Sequence, residues 1–425
     1  MNIKNRLTLM NFFQYFIWGS WLITIGAYWF QNRGWAGDKF GQIFSTMGIA
    51  SIFAPSLTGI LADKKINAEK LLGICHLCGA VVLIALPQVN DPQTFFWVML
   101  LNMIFYMPTI SLSITVAYSA LKNKGADVVR DYPPIRVWGT VGFIVALWTV
   151  SLLRFETSAN QFYVAAAASI FLGLYAFTLP KCPPRMRSGR SSSLIEALGL
   201  RSFSLFRSYK MAVFFIFAML LGAALQLTNA YGDTFIHDFA NVPAYKNLTA
   251  IKYPAIIMSI SQISETLFIL AIPFFLRKFG IKQVMLFSMI AWVIRFGLFA
   301  YGNPADGLWM IILSCIVYGM AFDFFNISGS LFVEGQSDPD IRASAQGLFM
   351  MMTNGVGAVL GSLTSGAVIQ KYFTYPDGSK DWHSIWLSFS AYALVVAVLF
   401  VLLFRHRHDP SAIKTTHPEP LVTTE

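Results

Sequence analysis

Of 425 residues, 56% are hydrophobic and only 12% are charged, about half the charged share of an ordinary soluble domain. That balance excludes a water-soluble globular protein and implies an integral membrane protein with little mass outside the bilayer. The net charge of +10 does not indicate nucleic-acid binding, because the basic residues lie in short loops between apolar runs and form no continuous stripe.

The amino-terminal stretch "MNIKNRLTLMNFFQYFIWGSWLITIGAYWF" places basic residues before an apolar run too long for a signal-peptide core. No small-residue cleavage site follows, so it is expected to remain as the first span. A bilayer core takes about 20 apolar residues per helix. On that rule twelve transmembrane helices are predicted, near 7–30, 41–62, 69–88, 94–119, 135–153 and 161–180, then 211–232, 251–276, 283–301, 308–331, 341–370 and 384–404. The fold class is an all-α membrane protein. The long polar segment 181–210, "KCPPRMRSGRSSSLIEALGLRSFSLFRSYK", divides the spans six and six. The expected organisation is an N-terminal six-helix bundle (1–180), a central loop (181–210), a C-terminal six-helix bundle (211–405) and a tail (406–425). The tail, "HRHDPSAIKTTHPEPLVTTE", is polar and proline-containing and is expected to be disordered, with His406 and His408 solvated.

Most of the 31 Lys and Arg residues fall in loops on the side of the amino terminus. Arg295 alone lies deep within a span. By the positive-inside rule both termini and the central loop face the cytoplasm. The basic turns "GILADKKINAEK" (59–70) and "FFLRKFGIKQV" (274–284) follow the second and eighth spans, as two parallel six-helix repeats require.

Two groups invite other readings. "CHLC" (75–78) places Cys75, His76 and Cys78 inside an apolar run with no second Cys/His pair nearby, so helix packing is expected rather than a metal or redox centre. Gly355, Gly357 and Gly361 in "GVGAVLGSLTSG" follow no strand and suit small-residue helix packing, not a dinucleotide loop. No Walker loop, HExxH or nucleophile elbow is present, so neither an enzyme nor an ATP-driven pump is expected, and no cofactor or metal site.

Of 21 acidic residues, two sit well within predicted helices: Glu265 in "MSISQISETLFILAIPFF" and Asp323 in "CIVYGMAFDFFNISGS". A charge at membrane depth costs several kcal/mol, so each needs a cavity, a partner or a proton. A fixed ion pair with Arg136 or Arg295 would satisfy them structurally. A group that takes up and releases a proton inside the membrane is also what proton-driven transport requires. Polar residues recur around them at helical spacing. Arg136, Thr140 and Phe143 form a stripe just beyond Pro133–Pro134, expected to start the fifth helix. Gln226 and Asn229 share a face of the seventh, Gln262 and Glu265 a face of the eighth. In the tenth, Tyr318 and Phe322 are four apart, with Asp323 and Asn326 alongside. Such stripes point toward a wet cavity. Its carboxylates and amides suit vicinal hydroxyls, and its aromatic faces suit a planar ring. A ligand with both a sugar and an aromatic base would use both sets, and an ordinary sugar or oligosaccharide would also fit.

The turn "GILADKKINAEK" resembles the Gly-x-x-x-Asp-Lys/Arg loop of the major facilitator superfamily, with Asn67 where a glycine is usual. More specifically, "YFIWGSWL", "YMPTI", "DYPPIRVWGTVGF", "MSISQISETLFIL", "YGMAFDFFNISGSLFVE" and "IRASAQGLFMMMTNG" resemble the bacterial nucleoside/proton symporter family of that superfamily, from about residue 6 to 405. The resemblance implies two six-helix halves around a central cavity, and nucleoside uptake across the bacterial inner membrane coupled to proton entry. A monomer is expected, with nucleoside, protons and the lipid bilayer as its partners. It implies substrate contacts at Arg136, Thr140, Phe143, Gln226, Asn229, Gln262, Glu265, Tyr318, Phe322 and Asp323. Ala224 occupies a position near that site where members carry Glu or Val. Asp323 is the first candidate for the proton carrier and Glu265 the second, with Arg136 expected to pair with Asp323 in one protonation state.

Overall fold

Long apolar runs with no water to bond their peptide groups must satisfy them internally, which selects helices. The computed structural model describes residues 2–184, 200–338 and 341–405. Among these, no strand occurs beyond one isolated bridge between Thr374 and Lys380. The main helices are α1 (Ile3–Gly19), α2 (Gly37–Lys64), α3 (Ala68–Ala85), α4 (Pro92–Lys122), α5 (Val128–Leu152) and α6 (Asn160–Ala176). After the central segment come α7 (Tyr209–Asp238), α8 (Pro254–Tyr301), α9 (Leu308–Gln336), α10 (Arg342–Met350), α11 (Ala358–Tyr372) and α12 (Trp382–Leu403). Nine stretches among the described residues are long and apolar enough to cross a membrane. The outer surface matches: Leu270 is 76% and Val81 68% exposed, tolerable in lipid but not in water. The chain is a multi-pass α-helical membrane protein. Most of the basic part of the central loop, and the tail with His406 and His408, lie outside the described residues.

Local chemistry sets several boundaries. Asp91 caps α4 by accepting from Thr94 N at 2.8 Å, with Pro92 in the first turn, a position where its missing N–H costs nothing. The Thr94 hydrogen bonds hold the Asp91 carboxyl below the usual carboxylate range. Asp381 caps α12 in the same way through Ser384 N at 3.1 Å.

Elsewhere the helices depart from the predicted spans. The first span is not continuous: α1 stops at Gly19, and helix resumes only at Ile25. Ser20 Oγ bonds back to Phe16 O at 2.8 Å, and a Gly–Ser pair is a common break point. The fifth helix starts at Val128, more than a turn before Pro133 and Pro134, which lie inside it. The eighth and ninth spans meet without a loop. At Gly280 the backbone takes φ 79 and ψ 168, a conformation only glycine enters freely, so α8 is two helices joined at a corner. The eleventh span is α10 and α11 joined by π-helical turns over Met351–Gly357.

α1 packs on α5 and α6, and α4 on α2 and α3, while α9 and α12 pack on α8 and α11 packs on α7. Across these two groups the main contacts are α2 with α11 and α5 with α8. The α1–α5 crossing is very close: a Cβ on Gly142 would fall 2.1 Å from Phe12 O. At the α2–α11 crossing a Cβ on Gly41 would meet Ser362 O at 2.2 Å. Gly357 and Gly361 lie similarly against Met219 and Ala223 of α7. Within α3, Cys75 is buried and unpaired, and His76 Nε2 lies 2.9 Å from Gln14 Oε1.

Candidate functional site

A cavity of about 800 Å³ opens inside the molecule, within the usual size range for small-molecule sites. Residues of α1, α2, α4 and α5 line it, together with residues of α7, α8, α9 and the stretch from Ser344 to Asn354. Arg136, Thr140 and Phe143 reach it from α5, Gln226 and Asn229 from α7, Gln262 and Glu265 from α8, and Tyr318 and Phe322 from α9. These are the stripes that helical spacing selects. Ser202, Phe203, Ser344 and Gly347 line the end near the central segment. Toward the opposite end the two groups of helices close on each other. Gly41 meets Ser362 there, Trp148 Nε1 donates to Ser259 Oγ at 2.9 Å, and Lys380 Nζ lies 3.9 Å from the Phe30 ring centroid.

Asp323 is the exception. It is only 4% exposed and does not line the cavity. Successive helical residues turn by about 100°, so with Phe322 facing the cavity Asp323 points aside. Its Oδ2 has no hydrogen-bond partner, yet it is near enough to Glu265 for their charges to interact. The expected Arg136–Asp323 pair is absent. Arg136 instead lies over the Tyr15 ring, 4.1 Å from its centroid, and within electrostatic reach of Glu265. Arg295 is fully buried, donates to Ser314 O at 2.5 Å and lies 4.6 Å from the Tyr318 ring centroid. Neither arginine is ion-paired to Glu265 or Asp323, so fixed salt bridges do not account for these acids.

The floor of the cavity is aromatic and held in place. The Tyr318 and Phe322 rings lie nearly parallel, with centroids 5.8 Å apart and planes at 4°, and Trp292 meets Tyr318 edge-on at 6.0 Å. Gln226 and Gln262 also line the cavity, and the Oε1 of each is buried without a protein hydrogen-bond partner, so neither oxygen is committed to the fold. Ala224 is fully buried and outside the lining. Tyr15 and Trp18 of α1 do line the cavity. They are not singled out by the sequence pattern, because an aromatic pair in an apolar span gives no sign of which cation it faces. The arrangement can grip a planar ring between aromatic faces and bind hydroxyls or ring N–H groups through amides and a carboxylate.

An all-helical membrane protein with a largely apolar cavity of this size, crossed by amides, a carboxylate and an arginine from several helices, has the form of a solute transporter. A family model described as nucleoside H+ symporter matches residues 1–409. The chain is 54% identical to xanthosine permease of Escherichia coli over 97% of its own length and 99% of that protein. It is 49% identical to nucleoside permease NupG of the same organism, over 96% and 97% of the two chains. Crystal structures of nucleoside transporter NupG superpose with TM-scores of 0.92, for a mutant, and 0.89, covering 95% and 96% of this chain and 100% of the other. A POT family transporter only 12% identical shares the fold at a TM-score of 0.71, over 97% and 96% of the two chains. The chain belongs to the nucleoside H+ symporter family and is a transporter, not an enzyme.

Proposed function

We propose that the protein takes up nucleosides together with protons by alternating access, with the substrate held between two six-helix halves. The observation that carries this is the cavity, to which the second group of helices presents Glu265, four amides and the parallel Tyr318 and Phe322 rings, and the first group Tyr15, Arg136, Thr140 and Phe143. The twelve-helix count follows when α8 is divided at Gly280 and the 17-residue helices α1 and α6 are added to the apolar spans. Residues 1–180 then form one half and 211–405 the other, joined by the 181–210 loop and meeting along α2–α11 and α5–α8. Gln226, Asn229, Gln262 and Glu265 bind ribose hydroxyls or base edges, while Phe143 and Phe322 stack the base. Asp323 is the first candidate for the proton carrier and Glu265 the second. The distribution of Lys and Arg supports a location in the inner membrane with both termini in the cytoplasm, so the cavity faces inward in this state.

The test is uptake of labelled uridine into proteoliposomes with and without an inward proton gradient, competed by purine nucleosides, xanthosine and sugars. Gradient-driven uptake blocked by nucleosides alone is expected. Competition by sugars at equal potency, or uptake indifferent to the gradient, would refute the proposal.

A further inference from the structure

Outside the cavity lining, three side chains of metal-ligating type meet. Glu156 stands in the turn between α5 and α6, while Asp233 and His237 lie one turn apart near the end of α7. All three are buried, Asp233 completely. His237 Nε2 lies 2.6 Å from Glu156 Oε2 and 3.5 Å from Asp233 Oδ2, and one ligand atom from each residue falls within 4.8 Å of the others. Around a tetrahedral ion with bonds of about 2.0–2.2 Å, ligand atoms stand roughly 3.3 Å apart, which lies between the two measured separations.

The cluster is held in place from behind. Glu156 O accepts from Gln161 Nε2 at 2.8 Å, and Gln161 Oε1 accepts from Thr24 Oγ1 at 2.9 Å. Glu156 Oε1 accepts from Ala255 N at 3.3 Å. Asp233 has no comparable support, since neither of its carboxylate oxygens has a hydrogen-bond partner. With both carboxylates ionised, a protonated His237 balances only one of the two charges, so this buried cluster carries one uncompensated negative charge. Lys380, the nearby cation, is engaged by Asp238 at 3.7 Å instead.

We propose that Glu156, Asp233 and His237 form a site for a divalent transition cation of the zinc type, with one imidazole, two carboxylates and a fourth position for water. Calcium and magnesium fit poorly, because both are hard cations that prefer oxygen ligands and one of the three ligands here is an imidazole nitrogen. Binding replaces the proton on His237 Nε2, so a proton leaves as the ion enters. Glu156 belongs to the first group of helices and the other two ligands to the second. On the two-half reading above, on which this consequence alone rests, the ion clips the outer end shut and arrests the cycle.

The test uses the purified full-length protein, stripped with chelator and titrated with Zn²⁺ in equilibrium dialysis and thermal melts, with Mg²⁺ as control. Zn²⁺ is expected to bind and raise the melting temperature, and Mg²⁺ is not. His237→Gln and, as a second variant, Asp233→Asn should weaken binding by more than the roughly 10–100-fold typical of losing a supporting group. No zinc binding, or unchanged affinity in both variants, overturns the site. In proteoliposomes zinc should block uridine uptake, with recovery on adding EDTA. Uptake indifferent to zinc at saturation overturns the clip. Absence of uridine uptake in metal-free protein would count against the nucleoside function itself and leave the dialysis result standing.

Discussion

Replacing Gln226 by Met tests the seventh-helix contact without disturbing the fold. Methionine keeps the length and approximate volume of glutamine but offers no acceptor of comparable strength. In the structure Gln226 Oε1 is buried and bonds to no protein group, so the substitution severs no internal bond through that oxygen. The free protein should melt within a few °C of wild type, since a swap that conserves volume at a buried site costs under about 1.5 kcal/mol. Bound substrate fares differently. A ligand hydroxyl or N–H that met the amide oxygen would be left unpaired in a water-poor cavity, at a cost of about 1–3 kcal/mol. That corresponds to roughly 5-fold to 150-fold weaker binding. Calorimetric titration of detergent-purified protein with uridine measures the change directly, and Gln262→Met should behave alike, because its Oε1 is equally unpartnered. Unchanged affinity in both variants would refute the assignment. Weaker binding with a matching fall in melting temperature would show that the amides support the fold instead.

Three further outcomes are expected. Asp323→Asn should retain exchange of labelled for unlabelled uridine but lose accumulation driven by membrane potential, which wild type supports to roughly 50-fold per charge at 100 mV; uncoupler-sensitive accumulation in the variant would remove Asp323 from the proton path. Gly142→Ala should lower the melting temperature through a loss of about 1–3 kcal/mol, because its Cβ would sit 2.1 Å from Phe12 O, and an unchanged melt would show that α1 and α5 separate freely. The side-chain and backbone hydrogen bonds of Ser384 hold the Asp381 carboxyl below its usual range, so its contribution is present above about pH 4 and lost as pH falls through the folded-state value. Asp381→Ala should therefore lower stability at neutral pH by about 0.5–1 kcal/mol, the low end for a cap near the surface, and melts should converge with wild type in acid.

The membrane class follows from composition, and the helical fold from continuous apolar runs of about 20 residues, where a barrel strand would alternate polar and apolar. The cavity stripes were legible because a 3.6-residue period places Gln262 with Glu265, and Arg136 with Thr140, whatever the neighbours do. Phe322 and Asp323 show the limit of that logic: neighbours about 100° apart need not share a face, and packing decided that the phenyl ring, not the acid, reaches the cavity. Contacts between distant segments left no local mark. The seat of Arg136 on Tyr15 is of this kind, and so is the convergence of Glu156 with Asp233 and His237. The spacing of Asp233 and His237 by four residues was a usable hint, but the predicted seventh span ended at residue 232, whereas α7 continues to Asp238. Breaks were the least legible features. Ser20 turns back on the carbonyl of Phe16, and Gly280 joins two helices where a loop was expected.

Where α2 meets α11 and the turns before it, backbone approaches backbone at two points, Gly41 against the carbonyl of Ser362 and Gly48 against that of Gly355, with Val359 and Ile52 beside them. Surfaces without protruding side chains interlock weakly, so parting them uncovers little apolar area, at about 25 cal/mol per Å², and requires no rotamer to change. On the proposed two-half reading, such a seam seals when shut and parts at little cost, so that a small difference in ligand or proton occupancy would tip the molecule from one side to the other.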